Sequence, residues 1–255
     1  MLSDLPHTAA SAFMTPSYNA VMVAVSVLIA VFSSFVTLGL ARRVRMASGG
    51  LVRLWWCIGS MVMGTGIWAM HFIGMQAFKL PITLGYSGLI TLLSWLAAVL
   101  DSGIALGVAA RPAYRWPQFL TASLAMGGGI CAMHYLGMLA IELTLPIVWN
   151  GWLIAASALI AVLASATALN LFRVLHSLSG KQLWLYQTLA ALVMGIAICG
   201  MHYTGMAAAH FEQGSVCLTA DALGGPELTS IIVITTAMLL IAALVSTLLA
   251  APLQT

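Results

Sequence analysis

The sequence predicts an all-α integral membrane protein of seven transmembrane helices: three pseudo-repeated helical hairpins followed by a seventh span. Three observations lead there. Apolar residues form 62% of the 255 residues and charged residues only 6%, far below the share usual in a soluble domain. A soluble fold of this length cannot hide so much apolar surface, so the surplus faces lipid. A span needs roughly 20 apolar residues to cross the hydrocarbon core, and seven stretches qualify, at about 19–41, 52–78, 83–110, 118–140, 147–172, 183–209 and 229–251. Finally, one thirteen-residue pattern occurs three times without a gap: MGTGIWAMHFIGM at 63–75, MGGGICAMHYLGM at 126–138 and MGIAICGMHYTGM at 194–206.

Taken in order, each span has its own punctuation. Pro81, Pro117, Pro146 and Pro226 fall at or just before boundaries, where proline disturbs a helix least. The first, third and fifth spans each contain a serine (Ser26, Ser94, Ser157) opening a small-residue stretch that ends near Arg42, Arg111 and Arg173. The second, fourth and sixth each carry the thirteen-residue motif near their far ends. The repeats therefore run 19–78, 83–140 and 147–209, with a lone span at 229–251. Together they make one seven-span domain over 1–255.

Basic residues set the orientation. Arg42, Arg43, Arg45 and Arg53 follow the first span, Arg111 and Arg115 the third, and Arg173 and Lys181 the fifth. The opposite loops hold Lys79, Glu142, Glu212, Asp221 and Glu227. Positive loops stay in the cytoplasm, so the N-terminus is expected outside and the C-terminus inside. The net charge of +3 comes from these short loops, so no nucleic-acid surface is implied. Trp55, Trp56, Trp116, Trp149 and Trp184 fall near span ends, as an aromatic belt would. Cys57, Cys131, Cys199 and Cys217 show neither disulfide-framework nor zinc-ribbon spacing. The N-terminus lacks the basic stretch of a cleaved signal peptide.

The motifs carry the chemistry. The three even-numbered spans run in the same direction, so His71, His134 and His202 reach a similar depth. Met75, Met138 and Met206 lie four residues on and share the histidine face; Met70, Met133 and Met201 sit about 100° round. Cys131 and Cys199 precede their histidines by three residues, a place that Trp68 takes in the first repeat. Three helices can thus bring three imidazoles and several sulfurs to one spot. Imidazole with thioether favours copper, above all Cu(I); zinc sites seldom use thioether, and the motifs hold no carboxylate for calcium or magnesium.

Packing is the competing explanation. Methionine fills apolar cores, and Gly64, Gly74, Gly127, Gly137, Gly195 and Gly205 let membrane helices approach. Histidine differs, because an ionisable residue inside a span is expensive and points to function. Asp101, matched in the other repeats by Ser33 or Ser34 and Ser165, reads as structural, paired with an interfacial arginine or relaying a signal. Asn170 reads as an interhelical hydrogen bonder. His210, with Met14, is a remote candidate for an additional ligand. His176 falls in a cytoplasmic loop and His7 in the N-terminal tail.

At MHFI 70–73, MHYL 133–136 and MHYT 201–204 the sequence resembles the MHYT sensory domain of bacterial membrane proteins, over its whole length. That resemblance implies a multi-pass protein of the bacterial inner membrane whose copper site faces the periplasm or exterior. It implies sensing of a diatomic gas (oxygen, nitric oxide or carbon monoxide) and signalling to cytoplasmic output domains of the GGDEF/EAL type that make or degrade cyclic di-GMP. Carried over by position, the candidate ligands are Met70, His71, Met133, His134, Met201 and His202, with Tyr135 and Tyr203; Phe72 departs from the pattern in the first repeat. The expected partners are the lipid bilayer, the gas, such an output domain and a second copy of the chain.

Two other functions compete. A copper or small-solute conduit would need ligands along its path; Met63, Met126 and Met194 lie about 12 Å deeper than the histidines at 1.5 Å per residue, but no matching ring follows below them. A haem protein would need two axial ligands, whereas three equivalent histidines suit a threefold metal site. No acid–base pair or nucleophile constellation suggests an enzyme.

Overall fold

The computed structural model describes residues 12–111, 115–221 and 225–249. His7 and the side chains of His176, Pro226 and Glu227 lie outside what is described. Seven helices follow one another: α1 Ala20–Met46, α2 Gly50–Ala77, α3 Gly88–Ala109, α4 Trp116–Leu139, α5 Gly151–His176, α6 Gly180–Ala207 and α7 Gly225–Leu249. The first six are long and apolar enough to cross a membrane; the described apolar stretch of α7, Ile232–Val245, is shorter.

The all-helical expectation holds, with short strands only in the connections. Four two-residue strands, β1 Ser17–Tyr18, β2 Phe78–Lys79, β3 Val148–Trp149 and β4 Ala209–His210, form two antiparallel pairs, β1–β2 and β3–β4. They occupy the connections at the motif end of the bundle, where backbone groups leaving a helix need partners. Consequently α3 and α5 begin several residues later than their apolar runs. His176 is the last residue of α5 rather than a loop residue.

Helix starts follow local chemistry. The Asn19 side chain accepts from the backbone N–H of Val21 and Met22, and Asn150 accepts from Trp152 and Leu153, satisfying donors a helix start leaves free. The backbone N–H of Asn19, Ser87 and Asn150 also donates to the carbonyls of Ala77, Ala140 and Ala208, each at 2.8 Å. Each odd helix is thereby tied at its start to the end of the even helix that follows it.

The six helices α1–α6 form a closed ring in chain order, α1 meeting α6, while α7 lies outside against α1 and α2. The even helices also touch one another, and so do the odd ones. At the motif end the even helices bring their histidines together. At the other end Leu38 and Ala41, Leu106 and Ala109, and Phe172 and Leu175 of the odd helices share one apolar cluster. The basic residues Arg42, Arg43, Arg45, Arg53, Arg111, Arg115, Arg173 and Lys181 all fall at that second end, in the α1–α2, α3–α4 and α5–α6 junctions or the adjoining helix termini.

Close approach sets the ring's diameter. A Cβ added to Gly64 would lie 2.6 Å from Val99 Cα, one on Gly127 2.8 Å from Val162 Cα, and one on Gly195 2.9 Å from Val31 Cα. Three motif glycines thus seat α2 on α3, α4 on α5 and α6 on α1, the same contact three times. Asn170, in contrast, is exposed on α5 and its side chain makes no hydrogen bond among the described residues; it follows fully buried Leu169, and the next helical step turns it outward.

Candidate metal centre

Each histidine sits about one and a half turns from the end of its helix, where the three even helices converge. All three are fully buried. The Nδ1 atoms of His71 and His202 are 3.1 Å apart, those of His134 and His71 3.1 Å, and those of His202 and His134 3.4 Å. Ring planes meet nearly at right angles, between 78° and 89°. Among the described residues this is the one group of His, Cys, Asp or Glu ligand atoms close enough to share a metal ion.

Counting protons shows what the arrangement demands. A neutral imidazole carries its hydrogen on one ring nitrogen and a lone pair on the other. An Nδ1–H···Nδ1 bond needs one protonated and one bare nitrogen, so three Nδ1 atoms can never satisfy all three contacts. One or more pairs must oppose lone pair to lone pair or hydrogen to hydrogen. A cation at the centre removes the conflict, because all three lone pairs then point at it. The edges of 3.1, 3.1 and 3.4 Å put a point equidistant from the three nitrogens about 1.9 Å from each, close to the ~2.0 Å of a metal–imidazole bond. The triad can hold a metal ion.

The outward nitrogens are handled by glycine. Nε2 of each histidine has no hydrogen-bond partner. A Cβ added to Gly137 would collide with His71 Nε2, one on Gly205 with His134 Nε2, and one on Gly74 with His202 Nε2. Each motif therefore supplies one imidazole and, three residues later, the bare backbone against which the preceding repeat's imidazole packs, the first repeat taking that of the third. The sequence pattern contained this role in the fixed His-x-x-Gly spacing, but it reads there only as helix approach.

The remaining candidate ligands surround this core without joining the nitrogen cluster. Met75, Met138 and Met206 are buried in the outer apolar cluster with Met14, Phe72 and Tyr86. Met70 and Met133 belong to the next cluster inward, and Met201 packs with Ile130, Ala161 and Cys131. Cys131 and Cys199 are free thiols and fall outside the histidine group. His210 sits in β4, paired with Val148, its ring 5.5 Å from Phe13.

The tyrosines point elsewhere with their hydroxyls. Tyr135 OH is 2.7 Å from Ser157 Oγ on α5, and Tyr203 OH is 2.8 Å from Ser26 Oγ on α1, while each ring packs edge-on against its neighbouring histidine at 4.8 and 4.7 Å. In the first repeat Phe72 has no hydroxyl, and Ser94, the equivalent serine, donates instead to the Met133 carbonyl at 2.8 Å. The phenols thus brace the imidazoles from behind. Ser26→Ala and Ser157→Ala should each cost about 0.6 kcal/mol, the usual worth of a hydrogen bond between membrane helices. Phe72→Tyr, which restores the third bond, should leave the melting temperature unchanged or raise it. Thermal unfolding of the three variants in detergent checks this.

Outside the spans, Tyr86 and Tyr18 close the aromatic cover. Burial and then nearby Cys217 push the Tyr86 phenol up from its ordinary value, and burial followed by Tyr203 does the same for Tyr18. Both stay neutral, which keeps the cover apolar.

The family model described as MHYT, bacterial signalling protein N-terminal repeat, matches residues 64–122, 127–185 and 195–252. The chain is 46% identical over 235 residues to the bifunctional diguanylate cyclase/cyclic di-GMP phosphodiesterase MucR of Pseudomonas aeruginosa, covering 91% of this chain and 34% of that protein. It is 36% identical over 201 residues to the signaling protein YkoW of Bacillus subtilis, covering 77% and 25%. It is 38% identical over 192 residues to the cyclic di-GMP phosphodiesterase NbdA of Pseudomonas aeruginosa, covering 75% and 24%. The chain spans about a third or less of the length of these relatives, and no solved structure matches it. Six membrane-length apolar helices and three repeats of one motif, each matched by the same family model, leave one assignment: this multi-pass membrane chain belongs to the MHYT family of bacterial signalling proteins.

Proposed function

We propose that this chain is a sensory input module, not an enzyme, in which His71, His134 and His202 hold copper near the outer face of the bacterial inner membrane and a diatomic gas is read there. The observation that carries this is the convergence of three buried Nδ1 atoms around one point. Methionine sulfur in the clusters on both sides favours the soft Cu(I) state. Bound Cu(I) would supply an open coordination position for oxygen, nitric oxide or carbon monoxide. The histidines fix its place, the tyrosine–serine pairs fix the rings, and the apolar cover of Phe72, Tyr86 and Phe211 excludes water. Met70, Met75, Met133, Met138, Met201 and Met206 serve as further sulfur donors or as polarisable packing.

Orientation and output complete the reading. With α7 as a seventh span and the arginine-rich junctions in the cytoplasm, the N-terminus lies outside, the C-terminus inside and the triad on the periplasmic side. Because α7 packs on α1 and on α2, which carries His71, a shift of the triad reaches the C-terminal segment through one helix. The names of MucR and NbdA support an output that makes or degrades cyclic di-GMP. A conduit is disfavoured by Ile67, Ile130 and Ile198, buried one turn below the histidines, and by the apolar cluster at the far end.

The test is copper content of detergent-purified protein by elemental analysis, with carbon monoxide binding followed by its infrared stretch. Wild type should hold copper stoichiometrically and bind carbon monoxide. Combined His71→Ala, His134→Ala and His202→Ala should lose the carbon monoxide band and the copper that carries it. Equal copper and an equal band in both proteins would sink the reading.

A further inference from the structure

The centre of the bundle holds a second set of potential ligands. Counting eight residues back from each histidine reaches Met63, Met126 and Met194, on the same helix face. They line a cavity of about 20 Å³ together with Asp101. An adjoining smaller space, sharing Met63 and Met194, is lined by Ser33 and Thr37. A cavity needs only ~10–15 Å³ to hold one water-sized occupant, so this one has room for a single ion.

Its polar atoms lack partners. Asp101 is 4% exposed and its Oδ1 has no hydrogen-bond partner, nor do Ser33 Oγ and Thr37 Oγ1. Among the described residues Asp101 makes no ion pair, so of its two readings the arginine pair is not found. The helices are shaped around it: a Cβ on Gly129 would meet the Asp101 carboxyl, as one on Gly66 would meet Ser33 Oγ in the first repeat. Asp101 lies two residues after Val99, the place that Ser33 holds after Val31 and Ala164 after Val162; Ser165 instead matches Ser34 and Ser102, each donating to the carbonyl four residues back. A carboxyl placed in an apolar membrane interior needs a positive partner or a proton. Three thioethers around it select the partner, since soft sulfur ligands favour Cu(I) among biological cations.

We propose that Met63, Met126, Met194 and Asp101 form a second, inner site for a soft monovalent cation, Cu(I). The isoleucine layer of Ile67, Ile130 and Ile198 separates it from the histidine triad, so each site can be emptied without the other. The carboxylate cancels the ion's charge in the membrane interior, and the sulfurs exclude harder ions.

The probe is Cu(I) itself, titrated anaerobically into the full chain in detergent against a coloured chelator, with X-ray absorption identifying the bound atoms. A variant carrying His71→Ala, His134→Ala and His202→Ala should still hold copper, with sulfur in its coordination sphere. Adding Met63→Leu, Met126→Leu and Met194→Leu should remove that copper. Adding Asp101→Ser, the residue of the first repeat, should weaken it about tenfold or more. If the histidine variant retains no copper, or retains it regardless of these changes, the inner site does not exist. Should the histidine variant fail to fold, the same methionine and aspartate changes in the wild-type background must lower the copper stoichiometry and the sulfur scattering while nitrogen-bound copper remains. Unchanged stoichiometry and scattering there overturn the proposal. Sodium in a tenfold excess should displace nothing; displacement would mark an ordinary cation site instead.

Discussion

Gly137→Ala is expected to weaken metal binding by about ten- to a hundredfold, the scale of losing the support of a ligand, although it removes no donor atom. The added methyl would fall on His71 Nε2. The ring cannot retreat, because its other nitrogen already faces His134 and His202 at 3.1 Å. It must rotate, which swings Nδ1 away from the shared centre. Gly205→Ala and Gly74→Ala should act alike on His134 and His202. The measurement is copper affinity by chelator competition, beside a fold check by circular dichroism. An affinity within about threefold of wild type would show that the imidazoles have slack and that the pocket is less constrained than its packing indicates.

Gly127→Val should destabilise the folded bundle by about 3 kcal/mol, the upper end of the usual overpacking range. Its Cβ would lie 2.8 Å from both Cα and N of Val162. These are backbone atoms of α5, so no side chain can rotate aside and the helices must part. Membrane helices gain little from apolar burial and depend on close contact, so separation forfeits much of what holds α4 to α5. Gly64→Val against Val99 and Gly195→Val against Val31 should behave in the same way. Gly128→Ala is the internal control, since a Cβ there meets nothing within 4 Å. Thermal unfolding in detergent separates the two classes; equal melting temperatures for Gly127→Val and Gly128→Ala would refute the close-packing account.

Much of this was legible beforehand for a plain reason. Lipid imposes length and apolarity on every span, so six helices could be found from composition alone, with ends off by a few residues where strands β1–β4 or capping asparagines intervene. The triad was legible because a repeat copies depth along with residue type. The cradle of Gly74, Gly137 and Gly205 was not, since a glycine says that something comes close without saying what. Nor was the setting of Asp101, which linear position placed toward an arginine and the fold turned inward.

By itself the sequence determined the number and spacing of the motifs, the residue types at each level and the depth they share, because helical rise converts residue number directly into height. Only the tertiary structure decided which helix faces which. The family repeats run from α2 into α3, from α4 into α5 and from α6 into α7, yet in space α6 closes the ring on α1 and α7 is left outside. That closure turns a linear repeat into a threefold pocket: the six helices close into a ring only when the last meets the first, and only then do three imidazoles share one centre.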